Sequence, residues 1–374
     1  MIVAGEASAD LHGSNLVKAM RSLDPCLAFC GIGGEKMAKA GVSILVPSSD
    51  MAVVGLTEVF QRVPAIVRAS RKLKSILRNN RPDLLILIDY PDFNIHIART
   101  AKRFGIPVLY YISPQVWAWR KGRARKIARR IDRMAVILPF EEPFYEGLGI
   151  IVDYVGHPLL DACPLEMDRA RAMKQTPKQS YPVVGLLPGS REDEVLNLLP
   201  AMVQAAEILA LRYPGIRCLL PLASTIEPEL VRSFVDGSSV GIEIVEGETY
   251  ETLGMCHAAM VTSGTATLET AIMGVPMVLA YRVSPVTYLL GRLVINLPYI
   301  GLVNLVAGEK VVEELIQDEV TPERLAREVL TLLEDSDARQ HMKDKLKGVR
   351  DGLGRGGASA RTAGIAIEMM GGRP

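Results

Sequence analysis

The stretch VTSGTATLETAIMGVPMV (261–278) reads as a strand, a small hydroxyl-rich turn, a helix, a Gly-x-Pro stop and a second strand. Ser263, Gly264 and Thr265 fall at the helix start, where unpaired backbone N–H groups and the positive end of the helix dipole can hold a diphosphate. Glu269 follows one turn later, within reach of the vicinal hydroxyls of a ribose. The plainer reading is a Ser/Thr cap followed by a surface glutamate. LLPGSREDEVLNLLP (186–200) repeats the plan: Arg191 sits at a strand-to-helix turn, able to face a phosphate, with Ser190 expected to cap the helix. Glu192, Asp193 and Glu194 suit a first helical turn without further function.

In the first half, LLILIDYPDFN (84–94) raises a different question, because an apolar run with the look of a buried strand ends in Asp89 and Asp92 around Pro91. GEASADLHG (5–13) follows the first strand and would place Gly5, Glu6, Ser8 and Asp10 at a ligand cleft, with a helix cap by Ser8 as the alternative. YYISPQVWAWRKGRARKIARR (110–130) holds both tryptophans, and eight Lys/Arg lie between 117 and 133 against Asp132. VVGLTEVFQRVPAIVRASRKLKSILRNNR (53–81) sets Val53, Val54, Leu56, Val59, Phe60, Val63, Ile66 and Val67 beside seven Lys/Arg and one acid, Glu58. That pairing suits a segment lying on a lipid interface, or else a core helix with a solvated basic face.

Other motifs carry less. Gly31-Ile32-Gly33-Gly34-Glu35-Lys36 matches neither phosphate-loop spacing and reads as a turn that lets the backbone approach something closely. Asp335-Ser336-Asp337 reads as a solvated loop, and no carboxylate or His/Cys cluster suggests a metal. Aromatics make up 5% of the chain and no nucleic-acid module is visible, so nucleic acid is not expected as a partner.

The elements that must position these residues alternate β and α. Strands are expected at 1–4, 27–32, 84–88, 107–112 and 134–138, then at 182–187, 217–222, 242–245, 258–262 and 276–280 with helices between them. This pattern predicts an α/β chain of two Rossmann-like doubly wound domains whose strand ends face a shared cleft. The boundaries read as 1–163, a polar linker at 164–181, a second domain at 182–340 and a helical tail at 341–374. At 374 residues, 49% hydrophobic and 23% charged, the chain can bury two cores. The net charge of +1 hides an asymmetry: residues 1–165 hold 22 Lys+Arg against 15 Asp+Glu, and the remainder 21 against 27. The basic half suggests an anionic partner. Five cysteines without CxxC spacing fit free thiols in a reducing compartment. The N-terminus reaches Glu6 too soon for a secretory signal, and 283–307 is interrupted by Arg292, Pro298 and Asn304, so a cytoplasmic chain with at most peripheral membrane contact is expected.

AGEASADLHG, IDYPDFN, SPQVWAWR, FEEPFYEGLGI, GHP, LLPGSR, SGTATLE and 302–317 occur in the order found in the lipid-A-disaccharide synthase family, which the chain resembles along essentially its whole length. The resemblance implies a GT-B glycosyltransferase that joins a UDP-2,3-diacylglucosamine donor to a 2,3-diacylglucosamine 1-phosphate acceptor through a β-1,6 bond, with inversion and release of UDP. It implies Asp89 as catalytic base, Arg191 as a diphosphate contact, Glu269 as the ribose ligand and Asn304 as a polar residue of the active site. Glu6, Ser8, Trp117 and Arg120 are expected at substrate, and Asp92 as the cap of the following helix. His157 is the strongest rival base among His12, His96, His157, His257 and His341. No cofactor or metal is implied: Arg191 and the 263–265 helix start would meet the leaving-group charge. An anionic inner-membrane surface on its cytoplasmic face is the expected location, and a homodimer is left open. The motif departs from the family pattern at Ala7 and Ala9, and the stunted first strand raises the question of an upstream segment. A UDP-N-acetylglucosamine 2-epimerase is the nearest alternative of the same architecture.

Overall fold

A computed structural model of the protein describes residues 1–51, 56–119, 121–163, 181–294 and 297–371. Arg120 and 164–180 of the expected linker lie outside them, and the side chains of Leu56, Val59 and Phe60 are likewise not described. Two compact units are present, Met1–Pro158 with Gly354–Pro374, and Leu159–Leu353.

The first unit is built on seven parallel strands: β1 (Ile2–Ala4), β2 (Phe29–Gly33), β3 (Val42–Pro47), β4 (Leu85–Ile88), β5 (Val108–Tyr111), β6 (Arg133–Val136) and β7 (Ile151–Tyr154), in the order β3-β2-β1-β4-β5-β6-β7. Central strand β1 is three residues long and wholly buried, pairing Ile2 with Gly31 on one side and with Ile86 on the other. Its tight seat explains Gly31, because a Cβ there would lie 1.7 Å from the Ile2 carbonyl oxygen. The helix Glu35–Lys39 that follows takes its cap from another element: Asp10 accepts hydrogen bonds from Gly34 N (2.6 Å), Met37 N (3.1 Å) and Lys36 N (3.1 Å). Asp10 is therefore buried and structural rather than lining a cleft.

The second unit carries six parallel strands: β8 (Val183–Leu187), β9 (Arg217–Leu222), β10 (Ile242–Glu246), β11 (Ala258–Thr262), β12 (Met277–Tyr281) and β13 (Glu313–Ile316), ordered β10-β9-β8-β11-β12-β13. Helix Glu192–Arg212 is apolar and long enough to span a membrane by composition, yet Leu198, Leu199, Met202, Ala205, Ala206 and Leu209 bury its face in the core of this sheet. Asp335 is not in a loop: it caps helix Ser336–Gly352, its carboxylate accepting from Asp337 N and Ala338 N at 2.9 Å each.

The residues expected as one tail divide between the units. Ser336–Gly352 stays with the second, whereas helix Ala358–Met369 packs on helix Ala7–Leu23 of the first, burying Ala363, Ala366 and Ile367 with Leu16, Val17 and Met20. Arg361 fastens it, donating to the Val155 carbonyl from Nε (2.9 Å) and Nη2 (2.7 Å). Cys26, Cys30, Cys163, Cys218 and Cys256 form no disulfide.

Candidate active site

In each sheet the strand order reverses once, between β1 and β4 in the first unit and between β8 and β11 in the second. Ligands of such folds bind outside the carboxyl ends of strands at these points, because adjacent loops there diverge to opposite faces. Glu6 and Asp89 follow β1 and β4, while Arg191 and Ser263–Thr265 follow β8 and β11. These four sequence-selected positions thus lie at the two switch points.

At the first, the chain leaves β4 through two consecutive residues in the left-handed region, Asp89 (φ 44°) and Tyr90 (φ 46°). Asp tolerates that region and Tyr does not, so the turn stores on the order of 1–3 kcal/mol per residue. Three hydrogen bonds hold it. Asn94 Nδ2 donates to the Asp89 carbonyl (2.6 Å) and the Ile88 carbonyl (3.2 Å), and Tyr110 Oη donates to the Asp89 carbonyl (2.6 Å). Tyr90 itself donates to the Met51 carbonyl (3.0 Å), and its ring lies on Gly5, where an added Cβ would come within 2.7 Å. The Asp89 carboxyl is pushed up to about 6, chiefly by burial and then by the charge of Glu6, against a hydrogen bond from the backbone of Tyr90. A carboxylate so placed is largely ionised near neutrality and a better proton acceptor than an ordinary aspartate.

Asp92 does not cap the helix. Helix Pro91–Arg103 starts one residue earlier, with Tyr90 in the cap position, and Asp92 sits in the first turn, 78% exposed, paired with Arg123 at 2.5 Å. Glu6 occupies the cap position of Ala7–Leu23, and Ser8 is exposed inside that helix, so Ser8 is no cap. Trp117 is buried, its Nε1 donating to Glu141 (3.0 Å) and its ring edge-on to Phe140. Glu141, 1% exposed, also accepts from Ser113 Oγ (2.5 Å), Leu138 N (3.1 Å) and Ile137 N (3.3 Å), and burial raises it to about 7. Trp117 and Glu141 thus tie the 113–119 segment to the loop after β6. His157 is buried and held down to about 3 by burial and by His12, which is itself held at about 4 by burial and Lys36.

In the second unit Arg191, not Ser190, is the cap residue of Glu192–Arg212. Glu194 closes the capping box, accepting from Ser190 N (2.9 Å) and Arg191 N (3.3 Å), so those two donors already have a carboxylate partner. Gly189 permits it: φ is 130°, and a Cβ would lie 2.3 Å from Glu194 Oε2. The Arg191 side chain is 80% exposed and forms an i,i+3 pair with Glu194 at 3.1 Å. The other helix start is more open. Gly264 (φ 145°) faces free space, Thr265 is exposed, and Ser263 Oγ donates to the Ile300 carbonyl (3.2 Å). Glu269 accepts from Tyr250 Oη (3.0 Å); burial raises its pKa and that bond opposes the rise.

Asn304 is 0% exposed and committed within the protein. It accepts from Val311 N (2.8 Å) and Val312 N (3.0 Å) and donates to the Val312 carbonyl (3.0 Å) and Glu314 Oε1 (2.8 Å). Glu314 in turn accepts from Ile300 N (2.9 Å) and Gly301 N (3.0 Å), so Asn304 supports the turn that receives Ser263. Sequence reasoning missed Asn94, Tyr110, Glu141 and Tyr250, and read Glu194 only as a first-turn acid. Asn94, Tyr110 and Glu141 lie inside motifs singled out above, but their partners are set by the fold. Among the described residues no group of three His, Cys, Asp or Glu is placed to hold a metal ion.

A family model described as lipid-A-disaccharide synthetase matches residues 1–366. The lipid-A-disaccharide synthase of Geobacter metallireducens is 52% identical over 372 residues, covering 99% of this chain and 97% of that protein. Among solved structures, the UDP-GlcNAc 2-epimerase of Neisseria meningitidis bound to UDP-GlcNAc superposes with a TM-score of 0.64 at 13% identity, covering 98% of this chain and 99% of that one. The calicheamicin glycosyltransferase CalG4 does so with a TM-score of 0.62 at 16% identity, covering 99% and 98%. At such identities the structures share the fold.

Proposed function

The chain belongs to the lipid-A-disaccharide synthase family, and from that premise we propose that Asp89 is the general base of its condensation. The activity is that of a lipid-A-disaccharide synthase, a glycosyltransferase of lipid A biosynthesis on a GT-B fold. In the proposed reaction the 6-hydroxyl of a 2,3-diacylglucosamine 1-phosphate attacks the anomeric carbon of UDP-2,3-diacylglucosamine as Asp89 takes its proton. The bond to the diphosphate breaks with inversion, and UDP leaves. The observation that carries this reading is the Asp89 carboxyl at the β1/β4 switch point, pushed up to about 6 in its hydrogen-bonded left-handed turn.

For the leaving group, the Gly264–Thr265 helix start offers N–H donors and dipole, and the exposed Arg191 side chain can exchange its Glu194 partner for a phosphate. An exposed pair of that kind is worth at most about 1 kcal/mol, so the exchange is cheap. Glu269, steadied by Tyr250, accepts from the ribose hydroxyls. We further propose peripheral attachment to the cytoplasmic face of the inner membrane through helix Leu56–Asn79, supported by exposed Val63, Val67 and Arg71 at four-residue spacing on one face.

The test is turnover of purified protein with both lipid substrates, product and UDP being followed by mass spectrometry. Asp89→Asn is expected to lower kcat roughly 10²–10⁴-fold, and the parent's kcat/KM to fall on the acid side with a midpoint near the value about 6. Near-parental turnover by Asp89→Asn removes Asp89 as the base.

A further inference from the structure

We propose that Asn94 and Tyr110 are positioning residues for this reaction, which hold the Asp89 main chain so that its carboxylate meets the acceptor hydroxyl. The proposal rests on the reading of Asp89 as base. Both side chains are wholly buried, and both donate to one atom, the Asp89 carbonyl oxygen, at 2.6 Å. Asn94 adds a bond to the Ile88 carbonyl, so a single amide spans the last residue of β4 and the first residue of the turn. Its own Oδ1 is buried without a hydrogen-bond partner, so the side chain serves there through its donors alone.

The two donors arrive from different elements. Asn94 rises from the first turn of helix Pro91–Arg103, and Tyr110 from β5, the neighbour of β4 in the sheet. Burial keeps the Tyr110 phenol far above its ordinary pKa, with the Asp89 charge adding to the effect, so it stays a donor across the working range. What they restrain is a pair of residues that left to themselves would relax out of the left-handed region. Relaxation would rotate the Asp89 side chain about the strand end, and a displacement of the order of 1 Å suffices to lower a rate about 10²-fold. Among the described residues, the charged and titratable groups that act on Asp89 are Glu6 at the start of Ala7–Leu23 and Tyr110 from β5, while Tyr90 meets it through its backbone. A displaced carboxylate loses its set distance from Glu6 and gains water.

Tyr110→Phe removes one donor and keeps the ring, and Asn94→Ala removes the other two bonds. With both lipid substrates, Tyr110→Phe is expected to lower kcat about 10-fold, with KM for the UDP donor unchanged and the acid limb of the kcat/KM profile moved to lower pH. In an Asp89→Asn background the same change is expected to leave the residual rate unaltered, because a positioning residue has nothing left to position. Equal losses in both backgrounds, or a parental kcat and pH profile in Tyr110→Phe while Asp89→Asn is inactive, overturn the proposal. An active Asp89→Asn overturns the assignment of the base instead. Should Asn94→Ala not fold, Tyr110→Phe and its double variant decide.

Discussion

Replacing Asp89 by Asn removes a carboxyl whose pKa rises from 3.8 to about 6 on folding, so its effect on stability has a definite sign. Between those values the folded chain keeps a proton that the unfolded chain has released, so stability falls as pH rises through this window and stays lower above it. A shift of this size corresponds to at most about 3 kcal/mol. Asp89→Asn is therefore expected to melt higher than the parent at about pH 7.5 and level with it at about pH 3.5, while nearly inactive; a lower melting point at pH 7.5 contradicts the raised pKa assigned to this carboxyl. Asp92 behaves otherwise. Its exposed pair with Arg123 is worth at most about 1 kcal/mol, so Asp92→Ala should keep near-parental turnover and melting temperature. In the sequence the two aspartates differ only in order, and Asp89 stands out because it ends an apolar run. The restraints on it were not legible, since Asn94 and Tyr110 act on a main-chain carbonyl whose direction depends on φ angles no spacing reveals.

Among the elements, the strands that escaped the sequence reading are β3, β7 and β13, and each is the edge of its sheet. Edge strands keep one side in solvent and lose the continuous apolar run of a buried parallel strand. β7 is IVDY with Ile151 64% exposed, and β13 is EELI, its two glutamates half-buried. Asn304, next to β13, belongs to this element-scale network: its loss strands the Val311 and Val312 N–H groups, each worth about 1–3 kcal/mol when buried unsatisfied. Asn304→Ala should lower the melting temperature by several degrees, with any loss of UDP affinity following from disorder of the 300–301 turn. Arg191→Ala and Glu269→Ala should do the reverse. Arg191 is too exposed to matter for folding, yet losing one charge-assisted contact should weaken UDP binding about 10- to 150-fold, read by calorimetric titration. Unchanged UDP affinity in both moves the donor site elsewhere.

At the scale of the molecule, the proposed membrane attachment draws on the excess of basic residues in 1–165, some of which helix Leu56–Asn79 carries. Ala69, Leu73 and Leu77 bury one side of this helix, which is the core role the sequence left open, while Val63, Val67, Arg68, Arg71 and Arg78 are exposed on the other. Two of its cations are engaged within the protein: Lys72 donates to the Leu45 carbonyl (2.7 Å), and Lys74 lies 2.5 Å from His96 Nε2. Arg68, Arg71 and Arg78 are therefore the side chains to reverse. An anionic bilayer attracts each exposed cation with about 1 kcal/mol, an attraction that fades over a Debye length of about 8 Å at physiological salt, whereas inserted valine surface is insensitive to salt. Binding to anionic liposomes should accordingly fall as salt is raised but retain a resistant fraction. The triple change to Glu should remove the salt-sensitive part and leave turnover of detergent-dispersed substrates intact. Liposome binding that persists undiminished in the triple variant, or that is absent from the parent at low salt, places any membrane contact on another surface of the molecule.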